Sequence, residues 1–421
     1  MQGPARSLEF WRPVWWALLL GVFAGVFSLG YLWLERLGFQ LLWPEEPPTG
    51  WFSGEWWWIL IPTGAGVVVG TLYQVFHLPA RLPGFVEELE EGRVEWRHAP
   101  GAVIVALVSL IGGASLGPEA PLGTGSGGAG SWLAERRGAD AAGTATATFA
   151  GMSGAFGGLL SSPLVGTLFG LELEHTHDRD FFFHRLVPGI VSGLVAFAIV
   201  YPILGPVFVG RYDFPSFEPK TWNLLAGLAM GIVGAGAAVL LGFVGKVAGS
   251  VFARFDASPV LRGGIGGFLL GIFAFVLPLT MSSGAVSLQV VIDESAEIGL
   301  AFLLVLVLAK AVTLGVSIGS GFYGGQFFPI FFMGGTLGAA VHVIVPELPI
   351  ALAVGCMLAA VAAALAPIPL SVTFIAILLL GVSTPTTASI AAASITAYVI
   401  THGFGIIGSR SPRVDQQEGP A

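Results

Sequence analysis

Apolar residues run in stretches of about twenty along most of the chain, for example over residues 14–34, 224–244 and 298–318, with short polar joints between them. A helix rises about 1.5 Å per residue, so roughly 20 mostly apolar residues match the ~30 Å hydrocarbon core of a bilayer. The pattern predicts many membrane-embedded helices. The polar joints fall at residues 83–100, which fit a loop or a short surface helix, and at 135–140, 175–180 and 211–220. The last of these divides the chain into two nearly equal halves. Sixty-one glycines and 27 prolines are spread through the apolar runs, so the helices are expected to pack closely and to be interrupted.

Composition sharpens this picture. Of the 421 residues 54% are hydrophobic and 10% charged, against about a quarter charged in soluble domains. The fold class expected is therefore an all-α integral membrane protein. The net charge of -8 comes largely from acidic residues in the joints and at both ends, and gives no footprint for nucleic acid. Cys356 is the single cysteine, which excludes an internal disulfide and a multi-thiolate metal site; no cofactor or metal motif is present. Arg6 and Arg12 precede the first apolar run, which lacks a small-residue cleavage site, and Arg410 and Arg413 follow the last run. By the positive-inside tendency both termini are expected in the cytoplasm, with an even number of crossings. The expected organisation is a first half over residues 1–220, a second over 221–409 and a short tail over 410–421. The tryptophans between Trp51 and Trp58 suit an interfacial belt.

Two segments repeat across the halves. Gly117-Pro118-Glu119-Ala120-Pro121 and Gly325-Gln326-Phe327-Phe328-Pro329 each carry glycine at -4, +6 and +9 from the proline, at a separation of 208 residues. Pro163-Leu164-Val165-Gly166-Thr167 and Pro369-Leu370-Ser371-Val372-Thr373 stand 206 residues apart. Near-equal separations argue for duplication, and duplicated transporters place their sites between repeats. Each motif sets a turn and a proline at the start of an apolar helix, where backbone N–H groups have no intrahelical partner and attract anions. Burying a bare anion costs tens of kcal/mol by Born estimates, while one helix end returns up to ~2 kcal/mol. Several ends must converge, with polar groups or water. Tight interhelical turns are the plainer alternative.

Glu119 tips the balance, because a carboxyl group in an apolar run is costly. Ionised, it can occupy an anion site; protonated, it can swing away and carry a proton. Capping of its own helix is the alternative. Lys310, inside an apolar run, either raises the potential along an anion path or snorkels to the interface.

Together these segments resemble the CLC chloride channel and transporter family. Residues 117–121 look like its motif G-[KR]-E-G-P, residues 319–329 like G-S-G followed by G-x-F-x-P, and Ser161-Ser162-Pro163-Leu164-Val165-Gly166-Thr167-Leu168-Phe169-Gly170-Leu171-Glu172 like N-[AS]-P-[LI]-x-G-x-L-F-x-[LI]-E-E. The resemblance implies a CLC-like inverted-repeat bundle of many tilted and interrupted helices, a homodimer in the cell membrane with an anion pathway in each subunit. It implies that Glu119 is the gating and proton-carrying glutamate. It also implies that Gly117, Glu119, Ala120, Gln326, Phe327 and Ala80 line the anion path, largely through backbone N–H groups.

Several positions depart from the family pattern. Ala80 stands where a serine usually faces the anion, and the usual pore tyrosine falls near Ile407 or Gly408, with Tyr398 well before it. Leu173 stands where proton-coupled members carry a second glutamate, which leaves Glu174 and His175 as candidates for the proton path. The function implied is movement of chloride or another small anion in exchange for protons. Passive conduction is the first rival and a fluoride–proton exchanger the second. An intramembrane enzyme is disfavoured: Gly113-Ala114-Ser115-Leu116-Gly117 and Gly315-Val316-Ser317-Ile318-Gly319 match Gly-x-Ser-x-Gly but lack the strand-turn-helix context of a nucleophile elbow.

Overall fold

A computed structural model describes residues 8–173, 181–255 and 257–407. Glu174 and His175 lie outside the described residues. The described chain forms α1 (Leu8–Leu42), α2 (Leu60–Val75), α3 (Phe85–Glu91), α4 (Ala99–Ile111), α5 (Glu119–Arg136), α6 (Ala141–Leu159), α7 (Val165–Leu173) and α8 (Val187–Leu204) in its first half. The second half holds α9 (Asn223–Ser250), α10 (Pro259–Val276), α11 (Ala285–Asp293), α12 (Ser295–Ile298), α13 (Leu300–Gly319), α14 (Phe327–Ile344), α15 (Ile350–Leu365), α16 (Pro369–Leu380) and α17 (Thr384–Tyr398). Among the described residues seven helical stretches are long and apolar enough to cross a membrane, and α4, α15 and α16 are shorter apolar helices. Large apolar side chains such as Leu41, Leu225 and Phe243 face outward, which a lipid environment tolerates and water does not.

Small residues let the helices meet backbone to backbone. A methyl group on Gly66 of α2 would run into the carbonyl of Gly263 on α10, and the reverse holds for Gly263. This close crossing joins the two halves and supplies the van der Waals contact that drives helix association in lipid.

The interruptions expected from glycine and proline set the geometry of the centre. After α4 the chain turns at Gly113, with φ +82°, and α5 begins at Glu119. After α13 it turns at Gly321, with φ +94°, and α14 begins at Phe327. Each position in one half has its counterpart 208 residues on, so the spacing read from the motifs extends to backbone conformation. Only glycine adopts these left-handed turns without strain. The two connecting segments pair antiparallel: the Gly117 N–H donates to the Gly325 carbonyl at 2.8 Å, and the Gly325 N–H returns to the Gly117 carbonyl at 2.7 Å.

Lys310 braces this centre instead of snorkelling. It is fully buried, and its Nζ donates to the carbonyls of Thr280 at 3.0 Å, Met281 at 3.3 Å and Ser282 at 2.6 Å. The Ser282 N–H in turn donates to the Gly113 carbonyl at 3.1 Å. This side chain thus ties α13 to the turn that delivers α5. Trp51, Trp56 and Trp57 are exposed, whereas Trp58 is buried against Trp43 with ring centroids 5.7 Å apart.

Candidate functional site

The Gly117–Gly325 pairing brings the starts of α5 and α14 to one place, and Glu119 lies in the first turn of α5. The Phe327 N–H, at the start of α14, donates to Glu119 Oε1 at 2.7 Å. The Phe328 N–H and the N–H of Glu119 itself also face the carboxyl group. The residue is 2% exposed, and Oε2 has no hydrogen-bond partner among the described residues. A carboxylate held this way makes a charge-assisted bond to N–H groups that no helical carbonyl can satisfy. It sits where the N-terminal end of α14 would hold a free anion.

The glycines of the motifs make room for it. A Cβ on Gly325 would overlap the Glu119 carboxyl group, and a Cβ on Gly117 would meet its Oε2. Both motifs therefore need glycine because of one side chain.

An aromatic wall surrounds the site. The Phe327 ring lies 6.4 Å from that of Phe85, 6.0 Å from Phe169 and 6.3 Å from Phe331, and Phe85 packs on Phe156 at 4.4 Å. These contacts draw α3, α6, α7 and α14 around the carboxyl group and keep its surroundings apolar, which strengthens each remaining polar interaction.

The other candidate residues are placed unequally. Ala120 is buried beside Glu119. Gln326 is the N-cap residue of α14 and is exposed. Ala80 is exposed too, and its carbonyl accepts from Nη2 of the buried Arg262 at 3.1 Å, so no side-chain ligand reaches the carboxyl group from that position. Tyr398 stacks on His402 at 5.0 Å. Glu172, the glutamate of the Leu-Glu pair, accepts from the Leu370 and Ser371 N–H groups at 2.5 and 2.6 Å and so caps α16. The serines of the Gly-x-Ser-x-Gly segments are engaged in packing: the Ser115 N–H donates to Ser317 Oγ, which donates to the Thr313 carbonyl.

Four residues near the site carried no motif. Glu35 and Tyr31, one turn apart on α1, both lie within electrostatic reach of Glu119. Glu88 on α3 is 2% exposed and accepts from Thr124 Oγ1 of α5 at 2.7 Å. The signal for Glu88 is helical periodicity, because Phe85, Glu88 and Leu89 share one face and all are buried.

The comparisons with known proteins agree with this architecture. The sequence profile of the family described as voltage gated chloride channel matches residues 65–402. Curated relatives include the "Putative ion-transport protein YfeO" of Salmonella paratyphi A, 27% identical over 354 residues, which covers 81% of this chain and 82% of the relative. Its counterpart of the same name from Salmonella choleraesuis is 28% identical over the same length. Among solved structures, a slow cyanobacterial Cl-/H+ antiporter aligns with a TM-score of 0.79 at 17% identity, covering 94% of this chain and 95% of that one. A CLC-type fluoride/proton antiporter aligns with a TM-score of 0.72 at 20% identity, covering 92% of this chain and 95% of its own. With its duplicated, mutually paired helix starts and a family match across most of its length, the chain belongs to the CLC family, the voltage gated chloride channels.

Proposed function

We propose that this protein moves chloride or another small anion across the membrane in exchange for protons, with Glu119 as both gate and proton carrier. The observation that carries this reading is the Glu119 carboxyl group seated on the Phe327 N–H. Ionised, it competes with a free anion for the N-terminal end of α14. Protonated, it loses its charge and most of that attraction, and an anion takes the N–H groups while the side chain carries the proton away. The reading includes a homodimer with one pathway per subunit, in the cell membrane with both termini cytoplasmic, and halves over residues 1–220 and 221–409 related as inverted repeats. The 208-residue spacing of turns and helix starts supports the repeats.

Passive anion conduction is the second reading. It is favoured by Leu173, which stands where proton-coupled members carry a glutamate, and by the use of Glu172 to cap α16. The solved antiporters similar to this chain act on chloride in one case and fluoride in the other, so the transported anion is a further variable.

Wild-type protein in liposomes separates the readings. With an outward gradient of chloride, fluoride or nitrate imposed in turn, exchange predicts that one anion drives protons inward against a pH gradient. Anion flux that never moves protons uphill establishes conduction, and no flux of any of the three contradicts both readings.

A further inference from the structure

Helices α1, α4 and α5 enclose a groove of about 730 Å³ on the outer face of the bundle, a size that falls within the roughly 300–1,000 Å³ of sites for small organic molecules. Leu19, Phe23 and Ile104 line it and are exposed, so its open side faces lipid. Glycines shape its floor. A Cβ on Gly128 of α5 would meet Ala99 of α4, and one on Gly125 would run into the Phe27 ring of α1. The three helices thus close beneath the groove while α5 puts no side chain into it at these two positions.

The groove has one polar end and one apolar end. Trp16, Trp96 and Trp132 line it where α1 and α4 begin and α5 finishes, and Phe27, Ile104 and Gly125 line it deeper along the same helices. Trp16 and Phe27 are eleven residues apart on α1, which is ~17 Å at the rise of an α-helix. Half of the ~30 Å hydrocarbon core is close to that length, so the groove has the reach of an acyl chain of one leaflet. Tryptophans clustered at one level mark the depth of the lipid headgroups.

Each of these tryptophans carries an arginine on its ring. Arg137 stacks on Trp16, Arg97 lies 4.8 Å from the centroid of Trp96, and Arg136 lies 5.6 Å from that of Trp132. Glu95 and Glu135 neutralise Arg97 and the neighbouring Arg93, with the closest pair, Arg97 to Glu135, at 3.1 Å. Among the described residues no carboxylate lies within ion-pair distance of Arg136 or Arg137. Two adjacent arginines at headgroup depth, each with its forked N–H groups uncommitted to a carboxylate, suit a phosphate.

We propose that this groove is a binding site for an anionic phospholipid, with an acyl chain between α1, α4 and α5 and its phosphate on Arg136 and Arg137. Basic pockets between membrane helices select anionic headgroups in this way. The mouth lies at the N-terminal end of α1, the cytoplasmic side in the orientation proposed above, where the leaflet carries anionic lipid. The bound lipid lies against α5, the helix that begins with Glu119. The site is the same whether the protein exchanges or conducts anions.

The test is native mass spectrometry of the purified protein in a mild nonionic detergent, titrated with phosphatidylglycerol or with phosphatidylcholine of the same acyl chains. Wild type is expected to hold phosphatidylglycerol about thirtyfold more tightly, at roughly fivefold per arginine. Arg136→Gln combined with Arg137→Gln is expected to erase that preference; both side chains are exposed, so assembly does not depend on them. Ile104→Trp, which fills the groove from its lipid side, is expected to weaken both lipids. Inorganic phosphate, which brings the charge without the chain, is expected not to displace the lipid. Equal affinity of wild type for the two lipids, an unchanged preference in the arginine variant, or ready displacement by phosphate overturns the proposal. A change of oligomeric state in Ile104→Trp with no change in lipid binding also overturns it, and assigns the groove to a second copy of the chain.

Discussion

Glu119→Gln is expected to abolish proton movement while anions continue to cross. The amide keeps the size and shape of the carboxyl group but can neither ionise nor release a proton, so the step in which the side chain leaves with a proton is lost. Its carbonyl oxygen can still accept from the Phe327 N–H, but a neutral acceptor makes roughly half as strong a bond as a charged one. A free anion then displaces it readily at every pH. Proton flux measured beside anion flux in liposomes is predicted to fall by about a hundredfold or more, and the dependence of anion flux on pH is predicted to flatten. Proton movement that survives the substitution would assign the carrier elsewhere.

Gly325→Ala is expected to reach much the same state without touching the glutamate. The backbone at Gly325 is ordinary, since it is not among the positive-φ glycines, so alanine imposes no conformational strain. Its methyl group would overlap the Glu119 carboxyl group, and the nearest atoms all belong to that flexible side chain. The side chain therefore leaves the start of α14 and gives up a charged hydrogen bond of about 1.5–3 kcal/mol. Its occupancy of the site falls by roughly ten- to a hundredfold. Anion flux near neutral pH should rise, and protons carried per anion should fall. Combining Gly325→Ala with Glu119→Gln should add little to either single change, because both act through one side chain. Full additivity would place the effect of Gly325 in backbone packing instead.

Much of this architecture is legible in the residues themselves. The apolar runs and their glycine and proline content announce interrupted membrane helices. The doubled motif at a 208-residue separation marks the two helix starts that the structure pairs through Gly117 and Gly325. Glu119 stands out because so few charges occur in apolar runs, and a rare residue type carries more information than an abundant one.

What stayed hidden depends on contacts between distant segments. Glu88 sits among Glu87, Glu90 and Glu91, and only the fold turns it inward onto Thr124. Tyr31 and Glu35 look like ordinary residues of a long first helix until the fold sets α1 against α5, the helix that begins with Glu119. Lys310 offered two opposite readings, and the carbonyls that hold it lie nearly thirty residues earlier in the chain. The role of Glu172 was equally closed, since the helix it caps begins almost two hundred residues later. Hydrogen-bond partners of this kind leave no local pattern, because packing chooses them after the helices have formed.

The central claim is that the Glu119 carboxylate and the transported anion compete for the N–H groups at the start of α14. Calorimetric titration of the purified protein with chloride, in buffers of differing ionisation enthalpy, measures the protons taken up when the anion binds. Displacement of a carboxylate that then protonates predicts uptake approaching about one proton per bound anion in wild type and none in Glu119→Gln, with tighter anion binding in the variant. Chloride binding with the same proton uptake in both proteins would contradict the claim.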